Sequence, residues 1–350
     1  MSRRAATLVV ASALILVLGI VGLLLPVPYV ALEPGPTYNT LDKTDQGRPL
    51  ISIEGRQVYD DGGHLNFTTV AYSGGPDNRI DLLTALRGWL NDETAIVPEE
   101  TIFPKNESVK EVEQENTRQM ADSQNSAVAA ALGQLKVPVG ARVLVDSVQK
   151  GMPADGVLRP GDEIVAVDGK KVSGVEAVTQ EMGSRKPGDK VALTVLRGGK
   201  QQDVTVTTVA SPDGKRALVG VILGQDYRFP FKVTINVGDV GGPSAGLMFS
   251  LAIVDKLTPG SMTGGKFIAG TGTITPEGEV GPIGGIQQKM IAAREAGATV
   301  FLTPADNCAD ATAAAPKGLR LVRADTLNGA ITALDALRTG RGEVPACPKG

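Results

Sequence analysis

The feature that most constrains the fold of this 350-residue chain is an uncharged, apolar run over residues 5–25, close to the N-terminus. A helix needs roughly 20 apolar residues to cross a bilayer. The apolar part of a cleavable signal peptide is shorter, about 7–15 residues, and no clear small-residue cleavage site follows this run. We therefore predict an uncleaved transmembrane anchor over residues 5–26. A long, cleaved signal peptide is the alternative.

The charges on either side of this run indicate its orientation. Arg3 and Arg4 precede it, and the first cation after it is Lys43. Positive charge stays on the cytosolic side of a membrane helix. We therefore expect a single-pass protein of the cell membrane, with residues 1–4 in the cytosol and the rest outside it.

The composition of the remaining chain excludes several classes of function. The formal net charge is −3 without a basic block, whereas nucleic-acid binding needs a clustered positive field. One histidine and two distant cysteines do not make a zinc site, so we expect no metal. Outside the cytosol, however, Cys308 and Cys347 can form a disulfide. Spacing alone leaves their pairing open.

A nucleotide site is also not expected. Residues 260–266 fit most of a phosphate-binding loop, but Phe267 follows where Ser or Thr would hold magnesium. No strand pattern leads into this segment. We therefore predict neither a nucleotide nor another cofactor.

The middle of the chain alternates short strand patterns with glycine turns. Its motifs are Gly151-Met-Pro-Ala, Arg159-Pro-Gly-Asp-Glu-Ile before a strand that ends in Asp-Gly, and Lys186-Pro-Gly-Asp before another strand. As a set, these motifs over residues 126–210 resemble a bacterial PDZ domain. The resemblance implies a small β-rich barrel or sandwich that binds extended peptides at a sheet edge. Its carboxylate-binding loop is expected near residues 135–140. The alternative is a spacer sheet without a ligand.

A serine between small residues is the candidate nucleophile. Ser244 lies in Gly-Gly-Pro-Ser-Ala-Gly, residues 241–246, and a helical apolar pattern follows to about Leu257. We predict Ser244 in the first helical turn, where unpaired N–H groups and the positive helix end can stabilise an oxyanion. Taken alone, the serine could equally be a helix cap.

A lysine is the candidate base, since the single histidine, His64, lies far upstream. Lys289 is on the edge of the apolar face of a predicted helix that begins after Gly284-Gly285. Burial would lower its pKa, and a neutral amine can take a proton from a serine. The alternative is a lysine whose stem packs while its ammonium reaches water.

Several motifs then occur in one order: Gly-Pro-Ser-Ala-Gly at 242–246, Thr-Gly-x-Ile at 271–274 and Pro-Ile-Gly-Gly-x-x-x-Lys at 282–289. Together they resemble the proteolytic domain of Lon proteases. The resemblance implies that Ser244 is the nucleophile, that Lys289 is its base and that the Thr271 hydroxyl orients Lys289. We expect the backbone N–H groups of Gly241, Gly242 and Ser244 to bind the oxyanion.

The same resemblance extends upstream and suggests how the domains are arranged. The strand patterns at residues 51–53 and 63–69 are similar to the opening hairpin of the Lon catalytic domain, so the PDZ unit would be inserted within it. We therefore predict an α+β fold with a transmembrane helix and two domains. The predicted segments are residues 27–125 (first part of the Lon-like domain), 126–210 (PDZ), 211–340 (Lon-like domain) and 341–350 (tail).

These features predict a membrane-anchored serine endopeptidase of a bacterial PDZ and Lon-like type that cleaves without ATP. Its partners would be exported or membrane-proximal proteins or peptides selected by the PDZ domain, and copies of the chain could form a homo-oligomer. The alternative is a non-catalytic envelope adaptor that binds peptide tails. The complete set of Ser244, Thr271 and Lys289 favours the enzyme.

Overall fold

The structure is a computed structural model that describes residues 3–44, 46–214 and 216–348, except the side chains of Arg3 and residues 5–9. The chain forms two compact units. The discontinuous unit combines Met1–Lys136 with Phe231–Gly350, and the inserted unit is Val137–Pro230. In chain order the elements are α1 (Arg3–Leu23), β1 (Tyr29–Asn39), β2 (Ile51–Glu54), β3 (His64–Gly74), α2 (Leu82–Trp89), β4 (Ala95–Pro98), α3 (Val109–Gln134), β5 (Gly140–Val148), β6 (Glu163–Val167), β7 (Lys170–Lys171), α4 (Val175–Gly183), β8 (Lys190–Arg197), β9 (Lys200–Thr207), β10 (Val209–Ala210), β11 (Ala217–Leu218), β12 (Val221–Arg228), β13 (Lys232–Ile235), α5 (Gly246–Leu257), β14 (Phe267–Gly270), β15 (Thr273–Ile274), β16 (Val280–Gly281), α6 (Ile286–Glu295), β17 (Val300–Pro304), α7 (Cys308–Ala313), β18 (Arg320–Ala324) and α8 (Leu327–Thr339).

The first helix, α1, covers most of the predicted anchor. Met1, Ser2 and the side chains of Arg3 and residues 5–9 lie outside the described residues. In the part of the chain that is described, no helix combines the length and the apolar character needed to cross a membrane.

The discontinuous unit contains a six-stranded mixed sheet in the order β18-β17-β14-β3-β1-β4. The first four strands are parallel, and β1 is antiparallel to both β3 and β4. Helices α6 and α7 connect parallel strands, so this part of the chain contains consecutive β-α-β crossovers. The predicted mixture of helices and strands is confirmed.

The predicted hairpin between β2 and β3 is wrong. Strand β2 pairs antiparallel with β13, and β3 pairs with β1 and β14. The residues of β2 and β13 are brought together from the two halves of the discontinuous unit. The closeness of the two strand patterns in the sequence predicted that they pair with each other, but β2 pairs with a strand that is distant in the sequence.

Helix α5 lies in the core of this unit. Every residue from Gly246 to Lys256 is buried, and most of these residues are apolar, as in helices that lie inside a core. Phe249 on α5 packs edge-to-face against Phe67 of β3, with 5.3 Å between ring centroids. The helix also packs against α3. The loop that enters α5 is therefore attached to a rigid element.

Helix α3 begins with a reciprocal cap. The Ser108 hydroxyl accepts the Glu111 N–H, and the Glu111 carboxylate accepts the Ser108 N–H. Residues 127–132 of its second half are all buried. They belong to the discontinuous unit, which is why the inserted unit begins at Val137 and not at residue 126.

The inserted unit is a β-rich fold whose main sheet has the order β12-β5-β6-β8-β9. Its end also differs from the prediction, because β12 pairs with β5 and extends the unit to Pro230. Strand β12 is an edge strand of this sheet. Its core consists of aliphatic side chains, among them Val143, Val145, Leu158, Ile164, Val178, Val191, Leu193 and Val195.

Candidate active site

Ser244 lies in the loop just before α5. The helix begins at Gly246, so the prediction that Ser244 lies inside the first turn is wrong by two residues. The loop reaches Ser244 through Gly242, whose φ of +82° is one that glycine adopts without strain. The Ser244 carbonyl accepts hydrogen bonds from Thr271 Oγ1 at 3.0 Å and from the Gly272 N–H at 2.8 Å.

Lys289 on α6 faces this serine. Its Nζ atom lies 2.7 Å from Ser244 Oγ, 3.3 Å from Thr271 Oγ1 and 3.3 Å from the Thr68 carbonyl oxygen. Only 4% of the lysine surface is exposed, and Thr271 is fully buried. The structure therefore brings together the three side chains that the sequence singled out.

Two glycines allow these elements to approach closely. Gly285, with φ +67°, precedes α6, and a Cβ atom there would lie 2.7 Å from Val70 Cγ2. At Gly246 a Cβ atom would lie 2.7 Å from Ile274 Cγ2 and 2.9 Å from Ser123 Oγ. Contacts this short are not found for real side chains. A larger residue at position 285 would thus push α6 away from β3. A larger residue at position 246 would push α5 away from Ile274 and Ser123.

Burial lowers the pKa of Lys289 from 10.5 to about 8. The cause is desolvation, because removal of water penalises the charged ammonium more than the neutral amine. At mildly alkaline pH a substantial fraction of Lys289 is therefore uncharged. Such an amine has a lone pair that can accept the hydroxyl proton of Ser244.

The predicted oxyanion donors have different environments. The Gly242 N–H donates to the Asn116 carbonyl at 2.9 Å, so the prediction that it binds an oxyanion is wrong in this structure. The N–H groups of Gly241 and Ser244 have no acceptor among the described residues. Ser244 thus keeps a free donor next to its own hydroxyl.

Sequence reasoning missed three neighbours of this site: Thr68, Asn116 and Ser123. Thr68 and Asn116 act through their carbonyl oxygens, which every residue has, so no sequence signal could identify them. Ser123 donates its hydroxyl to the Pro243 carbonyl at 2.9 Å. It is a buried serine in an alanine-rich helix, and only the contact distinguishes it from a solvent-facing one.

The other predicted positions lie apart from this centre. His64 stacks on Phe267 at 4.3 Å between ring centroids and has no described contact with Ser244 or Lys289. Cys308 and Cys347 are joined in a disulfide. Among the described residues, no group of three or more His, Cys, Asp or Glu side chains could hold a metal ion.

The inserted unit has its own cavity, of about 310 Å³, between α4 and the start of β12. It is mainly apolar and is bordered by residues 216–220, which include β11. The expected carboxylate-binding position near residues 135–140 is at the other end of the β5–β12 pair, because Gly140 pairs with Arg228 there. The main lining residues are Ile164, Val178, Met182, Leu193, Val219, Val221 and Leu223.

Comparison with known protein families gives one match in each part of the chain. The family model of the Lon protease (S16) C-terminal proteolytic domain matches residues 233–331, which include Ser244 and Lys289. The PDZ domain model matches residues 117–208, most of the inserted unit and part of α3.

Individual relatives match parts of this chain. A probable periplasmic serine endoprotease DegP-like of Hahella chejuensis is 28% identical over 56% of this chain and 36% of its own length. Lon protease 1 of Bacillus subtilis is 27% identical over 49% of this chain and 22% of its own. The PDZ domain of the SdrC-like protein from Listeria monocytogenes is 29% identical over 23% of this chain and 85% of its own, with a TM-score of 0.22.

The chain thus spans 36% of the length of the DegP-like relative and 22% of the length of Lon protease 1. The family models and the site are nevertheless consistent with each other. The chain contains a PDZ domain together with a proteolytic domain of the Lon protease (S16) type.

Proposed function

We propose that this protein is a serine endopeptidase in which Ser244 is the nucleophile and Lys289 is the general base. The observation that carries the proposal is the 2.7 Å contact between Lys289 Nζ and Ser244 Oγ in a buried site. The match to the Lon proteolytic domain over residues 233–331 supports the same reaction class.

The three contacts of Lys289 suit a neutral amine. Such an amine has one lone pair and two N–H donors. The lone pair would accept the proton of Ser244 Oγ, and the two donors would remain on Thr271 Oγ1 and the Thr68 carbonyl. These two acceptors hold the amine in the orientation that proton transfer requires.

The reaction would proceed through an acyl-enzyme. As Lys289 takes the proton, Ser244 Oγ bonds to the peptide carbonyl carbon, and the carbonyl oxygen becomes negative. The Ser244 N–H is free to stabilise that oxygen. Lys289 then returns the proton to the leaving amine, the C–N bond breaks, and a water molecule activated by the same lysine hydrolyses the ester.

The PDZ domain would present substrates to this site. Edge strand β12 has unpaired backbone groups on one side, and the apolar cavity next to it can take a side chain. An extended peptide could add to β12 as a further strand while its terminal apolar residue fills the cavity. Selected substrates would be proteins or peptides with an accessible extended end.

The setting of the enzyme is part of the proposal. Charges before the apolar run favour a cytosolic N-terminus and extracytoplasmic domains, with exported or membrane-proximal substrates. The disulfide between Cys308 and Cys347 supports an oxidising compartment. We further propose cleavage without ATP, which is tested by omission of the nucleotide.

The test uses the full chain in detergent micelles with unfolded casein as the probe substrate. Wild type should cleave casein with or without ATP, and Ser244→Ala and Lys289→Ala should not. Ser73→Ala and Lys317→Ala, at exposed positions outside the site, are the matched controls. Cleavage by either site variant at the wild-type rate would reject the dyad. Peptide binding by a wild type that cleaves nothing would identify an adaptor.

A further inference from the structure

Helix α3 holds the loop that carries the nucleophile at two points. The Asn116 carbonyl accepts the Gly242 N–H at 2.9 Å, and the Ser123 hydroxyl donates to the Pro243 carbonyl at 2.9 Å. Asn116 and Ser123 are seven positions apart, which places them on one face of α3, two turns from each other. Ser123 is only 5% exposed. The hydroxyl is thus directed at the loop and not at solvent.

We propose that Ser123 is a positioning residue that orients the oxyanion-binding N–H of Ser244. The Pro243 carbonyl and the Ser244 N–H belong to the same peptide group. No cis peptide bond occurs among the described residues, and in a trans peptide these two groups point in opposite directions. By holding the carbonyl on the α3 side, Ser123 directs the N–H to the opposite side. This inference rests on the proposed peptidase function.

The peptide on the other side of Ser244 is held in the same manner. The Ser244 carbonyl is bound by Thr271 Oγ1 and the Gly272 N–H, so the following Ala245 N–H points away from those groups. Both peptides that flank the nucleophile therefore have carbonyls with fixed partners. Neither the Ser244 N–H nor the Ala245 N–H has an acceptor among the described residues. These two donors are available to a developing oxyanion.

Ser123 is needed to fix this peptide because the loop that precedes Ser244 is intrinsically flexible. Gly241 and Gly242 impose little restriction on the backbone, and Gly242 has a positive φ. Without the Ser123 hydroxyl, the Pro243–Ser244 peptide could rotate and take its N–H out of the site. A donated hydrogen bond to the carbonyl also polarises the N–H of the same peptide, which strengthens it as a donor.

The test measures how fast Ser244 reacts with a fluorophosphonate probe in the full chain, followed by intact mass. The phosphoryl oxygen of the probe occupies the oxyanion position during attack, so no natural substrate is needed. Ser123→Ala should slow labelling by about 10- to 100-fold. This effect is at most as large as that of removing an oxyanion donor altogether, which slows such reactions by about 100- to 1,000-fold. Ser126→Ala, the same change three residues further along α3, should label within about twofold of wild type. The Ser126 hydroxyl has no hydrogen bond with the described residues.

If Ser123→Ala fails to fold, the same comparison is made with Ser123→Cys and its control Ser126→Cys. A thiol fills the space of the hydroxyl, although it is somewhat larger, but it is a weak donor, so Ser123→Cys should fold and still label slowly. The pH midpoint of labelling should be the same as in wild type for all four variants, because none changes Lys289. Ser123 variants that fold and label as fast as their Ser126 partners would overturn the inference.

Failure of the proposed function has a different signature. It would appear as equal labelling of wild type and Ser244→Ala, which means that the probe does not report on Ser244. Slow labelling of Ser123→Ala together with a shifted pH midpoint would also contradict the positioning role, since it would indicate a disturbed dyad. A selective loss of rate at an unchanged midpoint supports it.

Discussion

The Nζ atom of Lys289 lies 2.7 Å from the Oγ atom of Ser244, although 45 residues separate them in the chain. Two further contacts fix the lysine, one to Thr271 Oγ1 and one to the Thr68 carbonyl, and no carboxylate contributes to its lowered pKa. Burial therefore lowers the pKa of this amine, and its hydrogen-bond partners are neutral groups.

Replacement of Lys289 by Met should stabilise the protein at neutral pH. The pKa of Lys289 is lowered in the folded state, so below pH 8 the fold contains a buried ammonium that the unfolded chain exposes to water. Over the range from pH 8 to 10.5 the unfolded state binds more protons than the folded state, and wild-type stability rises with pH. Lys289→Met lacks this penalty and should gain up to about 3 kcal/mol at pH 7.

The measurement is urea unfolding of wild type and Lys289→Met at pH 7 and pH 10. The difference in unfolding free energy should shrink as pH rises, since the cost of keeping the wild-type lysine neutral falls between pH 8 and 10.5. Lys266→Met, at a partly exposed lysine, controls for the added apolar side chain. A variant that is less stable than wild type at pH 7 would show that the buried lysine is not a cost to the fold.

Thr271→Val should reduce the rate and shift its pH dependence. The Thr271 hydroxyl donates to the Ser244 carbonyl and accepts from Lys289, and it is fully buried. Loss of one hydrogen bond of about 1–1.5 kcal/mol lowers kcat by roughly tenfold. Loss of an acceptor for the ammonium lowers the pKa of Lys289 further below 8. A pH–rate profile measures both effects, and an unchanged profile would exclude a role for Thr271 in orienting the lysine.

Met182→Asp should separate peptide binding from catalysis. Met182 is on α4 and lines the PDZ cavity, where a carboxylate would lose solvation and repel the end of a bound peptide. We expect the Kd for a fluorescein-labelled peptide that ends in Val to rise more than about tenfold. Hydrolysis of a short peptide with a blocked C-terminus should continue at the wild-type rate.

Gln180→Asp is the matched control, because residue 180 is exposed on the same helix and does not line the cavity. Fluorescence anisotropy with the full chain gives both Kd values. Equal affinity of Met182→Asp and wild type would mean that the peptide binds elsewhere or not at all.

Removal of the disulfide should weaken the fold without disabling the site. The bond joins Cys308 of α7 to Cys347 across 39 positions, and closure of a loop of that size stabilises by about 2–4 kcal/mol. The tail is also held by the Arg323 N–H, which donates to the Pro345 carbonyl at 3.0 Å. Cys308→Ser/Cys347→Ser should unfold at a lower urea concentration in non-reducing buffer, with kcat near wild type. An unchanged urea midpoint of the double variant in non-reducing buffer would contradict this account.

The chain's sequence predicts the local elements well and the long-range ones poorly. The α5 segment that ends at Leu257 and helix α6, which carries Lys289, follow from apolar periodicity, which is a local property. The pairing of β2 with β13 does not follow from any local pattern, because their residues are about 180 positions apart in the chain and a whole domain lies between them. A strand pattern indicates that a strand exists but not which strand pairs with it.

The same limit applies within the site. Ser244, Lys289 and Thr271 are found from the sequence because their side chains occur in ordered motifs. The direction of the Gly242 N–H cannot be predicted from the sequence, because it depends on the Asn116 carbonyl. Every residue has a backbone carbonyl, so the residue type does not identify this acceptor. Donors of an oxyanion hole are therefore assigned only once the partners of every nearby carbonyl and N–H are known.

The most direct test of the central claim is the pH dependence of fluorophosphonate labelling at Ser244 in wild type and Lys289→Ala. If Lys289 must be neutral to accept the proton, the wild-type rate rises with pH through a midpoint near 8, where burial sets the lysine pKa. Lys289→Ala should lose that limb and react at least 100-fold more slowly at pH 9. A wild-type midpoint near 10.5, or a Lys289→Ala protein that keeps the wild-type rate and limb, would contradict a buried Ser244–Lys289 dyad.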